Sequence, residues 1–149
     1  MNNMKSTIII SVLFALTACA SRQAPYEKIT RHYVYQQAAE DSDPNFHTHI
    51  NGSVKLMTPF FKQFYDAGIK DKTNGITQQK YKERINYFRS NEFLSTITGT
   101  TQFISPKIHT EKVNESERPD RQKKILTDNI IAAYEAGYSS RQNTDTGSL

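Results

Sequence analysis

The sequence is poor in cysteine and has no tryptophan: Cys19 is the one cysteine among 149 residues. A single cysteine excludes a disulfide within the chain, so the fold must depend on apolar burial. No apolar run reaches the roughly 20 residues that a membrane-spanning helix requires. Charges of both signs are interspersed, with a formal net charge of +4, and this pattern disfavours a nucleic-acid-binding surface.

The composition is sufficient for one domain of modest size. Hydrophobic residues make up 36% of the chain and charged residues 23%, which is ordinary for a soluble globular sequence. Eight Tyr and eight Phe supply large side chains for a core. A chain of this length buries about two-thirds of its unfolded surface, so we expect a single domain that folds without a disulfide.

The first 18 residues have the pattern of a secretory signal. A polar start that includes Lys5 precedes residues 8–16, which are apolar except for Ser11. This segment is too short to span a bilayer, and small residues follow it before a cleavage site. Residues 1–18 are therefore predicted to be a signal peptide.

The cleavage motif Leu16-Thr17-Ala18-Cys19 resembles the lipobox of bacterial lipoproteins. The resemblance implies that the Cys19 thiol receives a diacylglyceryl group and becomes the first residue of the mature chain. The alternative, a free or core thiol, would be an oxidation liability in the periplasm. Acyl chains would hold the chain at a membrane, because each buried methylene contributes about 0.8 kcal/mol. Ala20 stands where the family's inner-membrane retention signal is an aspartate, which implies the outer membrane.

We predict a mainly α fold: a small helical domain of two long helices and one or two shorter ones, with an extended N-terminal segment and a long loop. The helical domain is predicted over residues 28–141. Residues 19–27 are predicted to be a lipidated tether, and residues 142–149 a disordered tail.

Three segments between these boundaries are predicted to be non-helical. Residues 29–36 contain Tyr33-Val34-Tyr35, whose aromatic and β-branched types favour a strand, although a helix is the alternative. Residues 41–52 are polar and interrupted by proline and glycine, so they are predicted to be a loop. Residues 100–120 are also predicted to be a long surface loop, with a brief strand at 101–104 as a further possibility.

The predicted helices follow from apolar residues at steps of three and four. The first long helix is predicted over residues 58–73, with Thr58 as N-cap and Pro59 at the first helical position. The last is predicted to run from Asp120 to about Arg141. Two shorter helices between them are predicted to be capped by Thr77 and Ser90.

The first and last helices share a short motif, Tyr65-Asp66-Ala67-Gly68 and Tyr134-Glu135-Ala136-Gly137. A glycine inside a helix costs about 1 kcal/mol relative to alanine, so we expect a compensating contact. The two helices are predicted to cross near Gly68 and Gly137, with Tyr65 and Tyr134 beside them. The alternative is that both glycines open a groove for a partner.

The sequence lacks the patterns typical of enzymes, including HExxH, GxSxG and a P-loop. The segment 47–49 (His-Thr-His) places two imidazoles together, but no third metal ligand can be assigned. The pairs Asp41/Asp43 and Glu115/Glu117 lie in polar segments and are predicted to be solvated. We therefore expect no catalytic residues, no metal, no small-molecule substrate and no cofactor other than the covalent lipid.

Three aromatic segments resemble the small entry-exclusion lipoproteins of mobilisable enterobacterial plasmids: residues 60–68 (FFKQFYDAG), 87–93 (YFRSNEF) and 132–138 (AAYEAGY). The resemblance implies a non-enzymatic envelope protein that contacts another envelope protein and reduces the entry of related DNA from a donor cell. The predicted loop at 100–120 would then be a contact surface. The alternative is a structural lipoprotein that binds peptidoglycan or supports a secretion or conjugation assembly.

Overall fold

The computed structural model describes residues 23–40, 49–104 and 108–140. The fold is mainly helical, as predicted, with one small two-stranded sheet. The predicted signal peptide, Cys19 and the predicted tail lie outside the described residues. The elements in chain order are α1 (Pro25–Glu40), α2 (Ile50–Thr73), α3 (Gln78–Phe88), α4 (Asn91–Ser95), β1 (Thr98–Ile104), β2 (Ile108–Asn114), a 3-10 helix (Glu115–Glu117) and α5 (Asp120–Tyr138).

The segment predicted to be extended, residues 29–36, is instead part of helix α1. Thr30, Val34 and Ala38 are buried at steps of four, and this face of α1 packs against α2 and α5. The strand prediction was wrong because burial along one helical face outweighs the β-propensity of neighbouring aromatic and β-branched residues.

Helix α1 also includes the last residues of the predicted tether. Pro25 occupies its first position, where a backbone N–H would have no acceptor within the helix, so its absence costs nothing. The backbone N–H of Ala24 donates to the Glu27 carboxylate at 3.0 Å, which is one half of a capping box. The helical domain therefore begins at residue 25 rather than 28.

Helix α2 begins at Ile50, well before the predicted start at Thr58-Pro59. The Thr58 hydroxyl does not cap a helix but donates to the Val54 carbonyl oxygen at 2.7 Å. Pro59 therefore lies inside the helix, where proline costs about 3 kcal/mol. Val54 and Phe61 are buried on either side of it, and this burial offsets the cost. The predicted end at Asn74-Gly75 is confirmed, since α2 ends at Thr73.

The predicted caps of the two shorter helices are confirmed. The Thr77 hydroxyl accepts from the Lys80 N–H at the start of α3. The Ser90 hydroxyl accepts from the Phe93 N–H at 3.1 Å at the start of α4. Phe93 and Leu94, which α4 carries into the core, are 7% and 2% exposed.

Replacing Ser90 with alanine is expected to lower the free energy of unfolding by about 1 kcal/mol, because it removes the N-cap acceptor of α4. The matched control is Ser95→Ala at the end of the same helix, where the hydroxyl is exposed and donates to a carbonyl three residues back. Urea unfolding followed by circular dichroism measures both. Equal effects of the two substitutions would contradict the capping role.

The segment predicted to be a long loop, residues 100–120, contains most of a β-hairpin. Strands β1 and β2 pair in antiparallel register, with Thr98 opposite Asn114 and Ile104 opposite Ile108. The loop prediction was wrong, and the alternative of a strand at 101–104 is confirmed as part of β1. The two strands stabilise each other through backbone pairing, which the polar composition of either segment alone does not indicate.

One apolar cluster joins the helices, and its centre is aromatic. Tyr33 of α1 contacts Phe61 of α2, with ring centroids 4.9 Å apart. Phe64 of α2 contacts Phe88 of α3 at 5.6 Å, and Phe88 contacts Tyr134 of α5 at 5.5 Å. Phe61 and Tyr134 are both 0% exposed, so the core runs from α1 through α2 to α5.

Candidate functional site

Helices α2 and α5 cross at the two glycines of the shared motif. A Cβ atom on Gly68 would overlap the Tyr134 carbonyl oxygen and lie 2.7 Å from the Tyr138 nitrogen. A Cβ atom on Gly137 would overlap the Tyr65 carbonyl oxygen and lie 2.8 Å from its carbonyl carbon. Both glycines are buried. Each is therefore covered by the backbone of the facing helix and does not line an open groove.

A buried carboxylate lies beside this crossing. Asp71 of α2 is 8% exposed, and its Oδ2 accepts from the Tyr134 hydroxyl at 2.9 Å. The Arg84 guanidinium of α3 donates to both Asp71 oxygens, at 3.1 and 3.4 Å. One carboxylate therefore connects three helices through a phenol and a cation.

The phenols near this carboxylate are held in their neutral form. Burial raises the pKa of Tyr134 above its ordinary value, and its hydrogen bond to Asp71 raises it further. Loss of solvation raises the pKa of Tyr81 to about 12, with a further contribution from its hydrogen bond to Glu135 at 2.9 Å. Both phenols therefore donate hydrogen bonds at neutral pH. The Tyr81 bond joins α3 to α5, and the Tyr134 bond joins α5 to α2.

A second buried carboxylate, paired with a partly buried arginine, lies at the base of the hairpin. Glu115 is 7% exposed, and its Oε2 lies 2.8 Å from the Arg118 Nε, although without the geometry of a hydrogen bond. A Cβ atom on Gly99 would lie 2.5 Å from the Glu115 Oε1. The prediction that Glu115 is solvated was wrong, whereas Glu117 is exposed.

Tyr33 of α1 lies close to the same ion pair. Burial raises the pKa of Tyr33 to about 12, and the negative charge of Glu115 contributes to the shift. The Glu115 backbone N–H donates to the Ile97 carbonyl at 3.1 Å, and the Asn114 side chain donates to the Ser95 carbonyl at 3.1 Å. These contacts attach the hairpin to the helical body at one end.

An open groove of about 410 Å³ lies between the end of α3 and the first half of α5. Two of its lysines are already paired on their own helix, Lys123 with Asp120 at 2.8 Å and Lys124 with Asp128. The groove is therefore polar and close to charge-balanced. Its lining consists of Arg89, Asn91, Leu94, Asp120, Lys123, Lys124, Thr127 and Asp128.

The other sequence-predicted positions are not assembled into a site. His49 precedes α2, whereas His47, Thr48, Asp41 and Asp43 lie outside the described residues. Among the residues that the structure describes, no group of three or more His, Cys, Asp or Glu side chains is placed to hold a metal ion.

The predicted lipidation motif, Leu16, Thr17, Ala18 and Cys19, also lies outside the described residues. Within the described ranges, no helix has the length and apolar composition needed to cross a bilayer. No known protein family, curated protein or solved structure matches the chain.

Two features of the site were missed from the sequence. Asp71 follows Phe61, Phe64 and Gly68 at steps of three and four, so its phase on the apolar face of α2 could have identified it as a buried acid that needs partners. Glu115 offers no such signal, because its burial depends on how the hairpin base packs against α4 once the hairpin has formed.

Proposed function

We propose that this protein is an envelope lipoprotein, held at the outer membrane by acyl chains on Cys19, and that it acts through protein contacts rather than catalysis. The observation that supports the proposal is the Leu16-Thr17-Ala18-Cys19 motif behind a short apolar segment. Helix α1 begins at Pro25. Even fully extended, the chain from Cys19 to Pro25 would span no more than about 20 Å. The anchor would therefore keep the helical domain close to the bilayer.

The proposed role of these contacts is entry exclusion, in which a recipient cell reduces the uptake of related DNA by conjugation. The three segments that carry the resemblance supply buried core side chains of α2 to α5, among them Phe61, Phe88, Phe93 and Tyr134. The resemblance therefore supports a shared helical architecture. The specificity of exclusion would depend on exposed surfaces outside these segments.

The hairpin is the contact surface that we propose in place of the predicted loop. Each strand has one neighbour in the two-stranded sheet. Its outer edge therefore offers backbone donors and acceptors with which an extended segment of a partner can pair. The hairpin is attached at its base, through residues 95–97 and 114–115. The strand edges farther from this base are therefore best suited to reach such a partner.

Mating assays test this function directly. Recipients that produce the protein are expected to yield fewer transconjugants of a related plasmid than recipients that lack it, with an unrelated plasmid unaffected. If recipients with and without the protein yield the same number of transconjugants for the related plasmid as well as for the unrelated one, the exclusion role is removed. Co-sedimentation of the protein with purified peptidoglycan would then favour the structural alternative.

The Cys19→Ser variant tests the anchor. Without the thiol no diacylglyceryl group can be attached, so the protein is expected to leave the outer-membrane fraction and to lose its effect on mating. Membrane fractionation and the mating assay measure the two outcomes separately. Normal processing and unchanged membrane fractionation of Cys19→Ser would contradict the anchor.

A further inference from the structure

Helix α1 has an exposed face whose charged side chains are all basic. We call the residues on this side of the helix the basic face: Pro25, Lys28, Arg31, His32, Tyr35 and Ala39, all of them exposed. They recur at steps of three and four, so they share one side of the helix. The opposite side, which includes Val34, packs into the protein. Tyr35 is 52% exposed, so a large aromatic ring lies beside the cations.

The exposed faces of the other long helices carry both signs of charge. Exposed acids are present on each of them, for example Asp66 on α2, Glu83 on α3 and Asp128 on α5. Lysines on two of these helices pair with them, as Lys62 does with Asp66 at 2.6 Å. Among the helices of more than two turns that the structure describes, only α1 exposes cations without an exposed acid.

The two acids of α1 lie off the basic face and are already engaged. Glu27 accepts from the Ala24 N–H, and Glu40 pairs with Arg121 at 2.8 Å. By contrast, the side chains of Lys28 and Arg31 form no hydrogen bond or ion pair with any other described residue. Their charges are therefore available to an external anionic partner.

We propose that the basic face of α1 docks on the anionic phospholipid headgroups of the membrane that holds the chain, an inference that rests on the proposed anchor at Cys19. Cations beside an amphipathic aromatic ring are the side chains that suit a headgroup layer. The short chain between Cys19 and α1 keeps this face at a high effective concentration near the lipid. Each cation near an anionic surface is expected to raise the ratio of docked to undocked helix about fivefold, which is then enough to favour docking.

Docking in this manner fixes the orientation of the domain. Helix α1 is 16 residues long, or about 24 Å at 1.5 Å per residue, so it can lie along the membrane within reach of the anchor. Its opposite face packs against α2 and α5. These two helices would therefore lie on the side of α1 that is turned away from the lipid.

The test uses the purified, lipidated full-length protein in vesicles that contain a headgroup-quencher lipid. A fluorophore is attached to an Ala39→Cys substitution on the basic face, or to Asn86→Cys on the exposed side of α3 as a reference position. With phosphatidylglycerol in the vesicles, quenching is expected at residue 39 and not at residue 86. Pure phosphatidylcholine or high salt is expected to reduce quenching at residue 39 to the reference level.

Charge variants determine whether the basic face is responsible for the quenching at residue 39. The double substitution Lys28→Gln/Arg31→Gln is expected to lower the ratio of docked to undocked helix by about 25-fold. The control Lys80→Gln/Lys82→Gln removes two exposed cations from α3 and is expected to leave quenching unchanged. Equal quenching in both lipids, or no effect of the α1 substitutions, would overturn the docking proposal.

Vesicle flotation separates this proposal from the proposed function. A protein that fails to float with phosphatidylcholine vesicles has no effective anchor, and that result overturns the anchor and the docking together. A protein that floats with both lipids but shows no dependence of quenching on phosphatidylglycerol overturns the docking alone.

Discussion

Replacing Gly68 with alanine is expected to lower the free energy of unfolding by about 3 kcal/mol, the upper end of the usual range for overpacking. The added methyl group would overlap the Tyr134 carbonyl oxygen, and a backbone cannot move aside as a flexible side chain can. The substitution therefore forces α2 and α5 apart and loosens the core between them. The better helix propensity of alanine, about 1 kcal/mol, offsets only part of this cost.

The chain supplies a matched control for this prediction in the same helix. Gly52 also lies in α2, but a Cβ atom there would have no atom within 4 Å. Gly52→Ala is therefore expected to stabilise the protein by about 0.5–1 kcal/mol. Gly137→Leu is expected to destabilise it at least as much as Gly68→Ala. Urea unfolding of all three variants, followed by circular dichroism, makes the comparison, and a neutral Gly68→Ala would contradict the close crossing.

Replacing Asp71 with alanine is expected to cost about 3 kcal/mol. The substitution removes the carboxylate that accepts hydrogen bonds from Tyr134 and Arg84. The Tyr134 hydroxyl would then be buried without this partner, which alone costs about 1–3 kcal/mol. The Arg84 side chain also loses this partner, but it is 47% exposed, so the cost comes mainly from the buried hydroxyl. The unfolding free energy in urea is again the measurement.

The exposed acid Asp66 provides the control, because it lies in the same helix and pairs with Lys62 at the surface. Asp66→Ala is expected to change stability little, since exposed ion pairs contribute little. Tyr134→Phe and the double variant with Asp71→Ala complete a mutant cycle. The effects of the two substitutions are expected to be less than additive, because both remove the same hydrogen bond. Full additivity would mean that the bond does not contribute to stability.

Most of the features predicted correctly from the sequence depend on neighbouring residues. The caps at Thr77 and Ser90 are set by a side chain and a backbone N–H three residues away. The start of α5 at Asp120 also follows from local sequence, as does the end of α2 before Asn74-Gly75. The shared Tyr-acid-Ala-Gly motif indicated the position of the helix crossing, because a helical glycine requires a compensating contact.

The features that were predicted wrongly depend on distant parts of the chain. Helix α1 owes its helical form to burial against α2 and α5, whereas its local composition favours a strand. Pro59 has the local signature of a helix start, yet the burial of Val54 extends α2 past it. Glu115 is buried by contacts of the folded hairpin base with α4, and it lies near Tyr33 of the distant α1. In each case a tertiary contact outweighs a local preference.

The contact between α2 and α5 is reciprocal: Gly68 meets the backbone at Tyr134, and Gly137 meets the backbone at Tyr65. Such pseudo-twofold symmetry is the usual property of an interface between identical subunits, but here it relates two helices of one chain. A slide of one helix along the other by one turn, about 5.4 Å, would bring a side chain against backbone at both points simultaneously. Two hydrogen atoms in place of side chains therefore set the axial register of the pair.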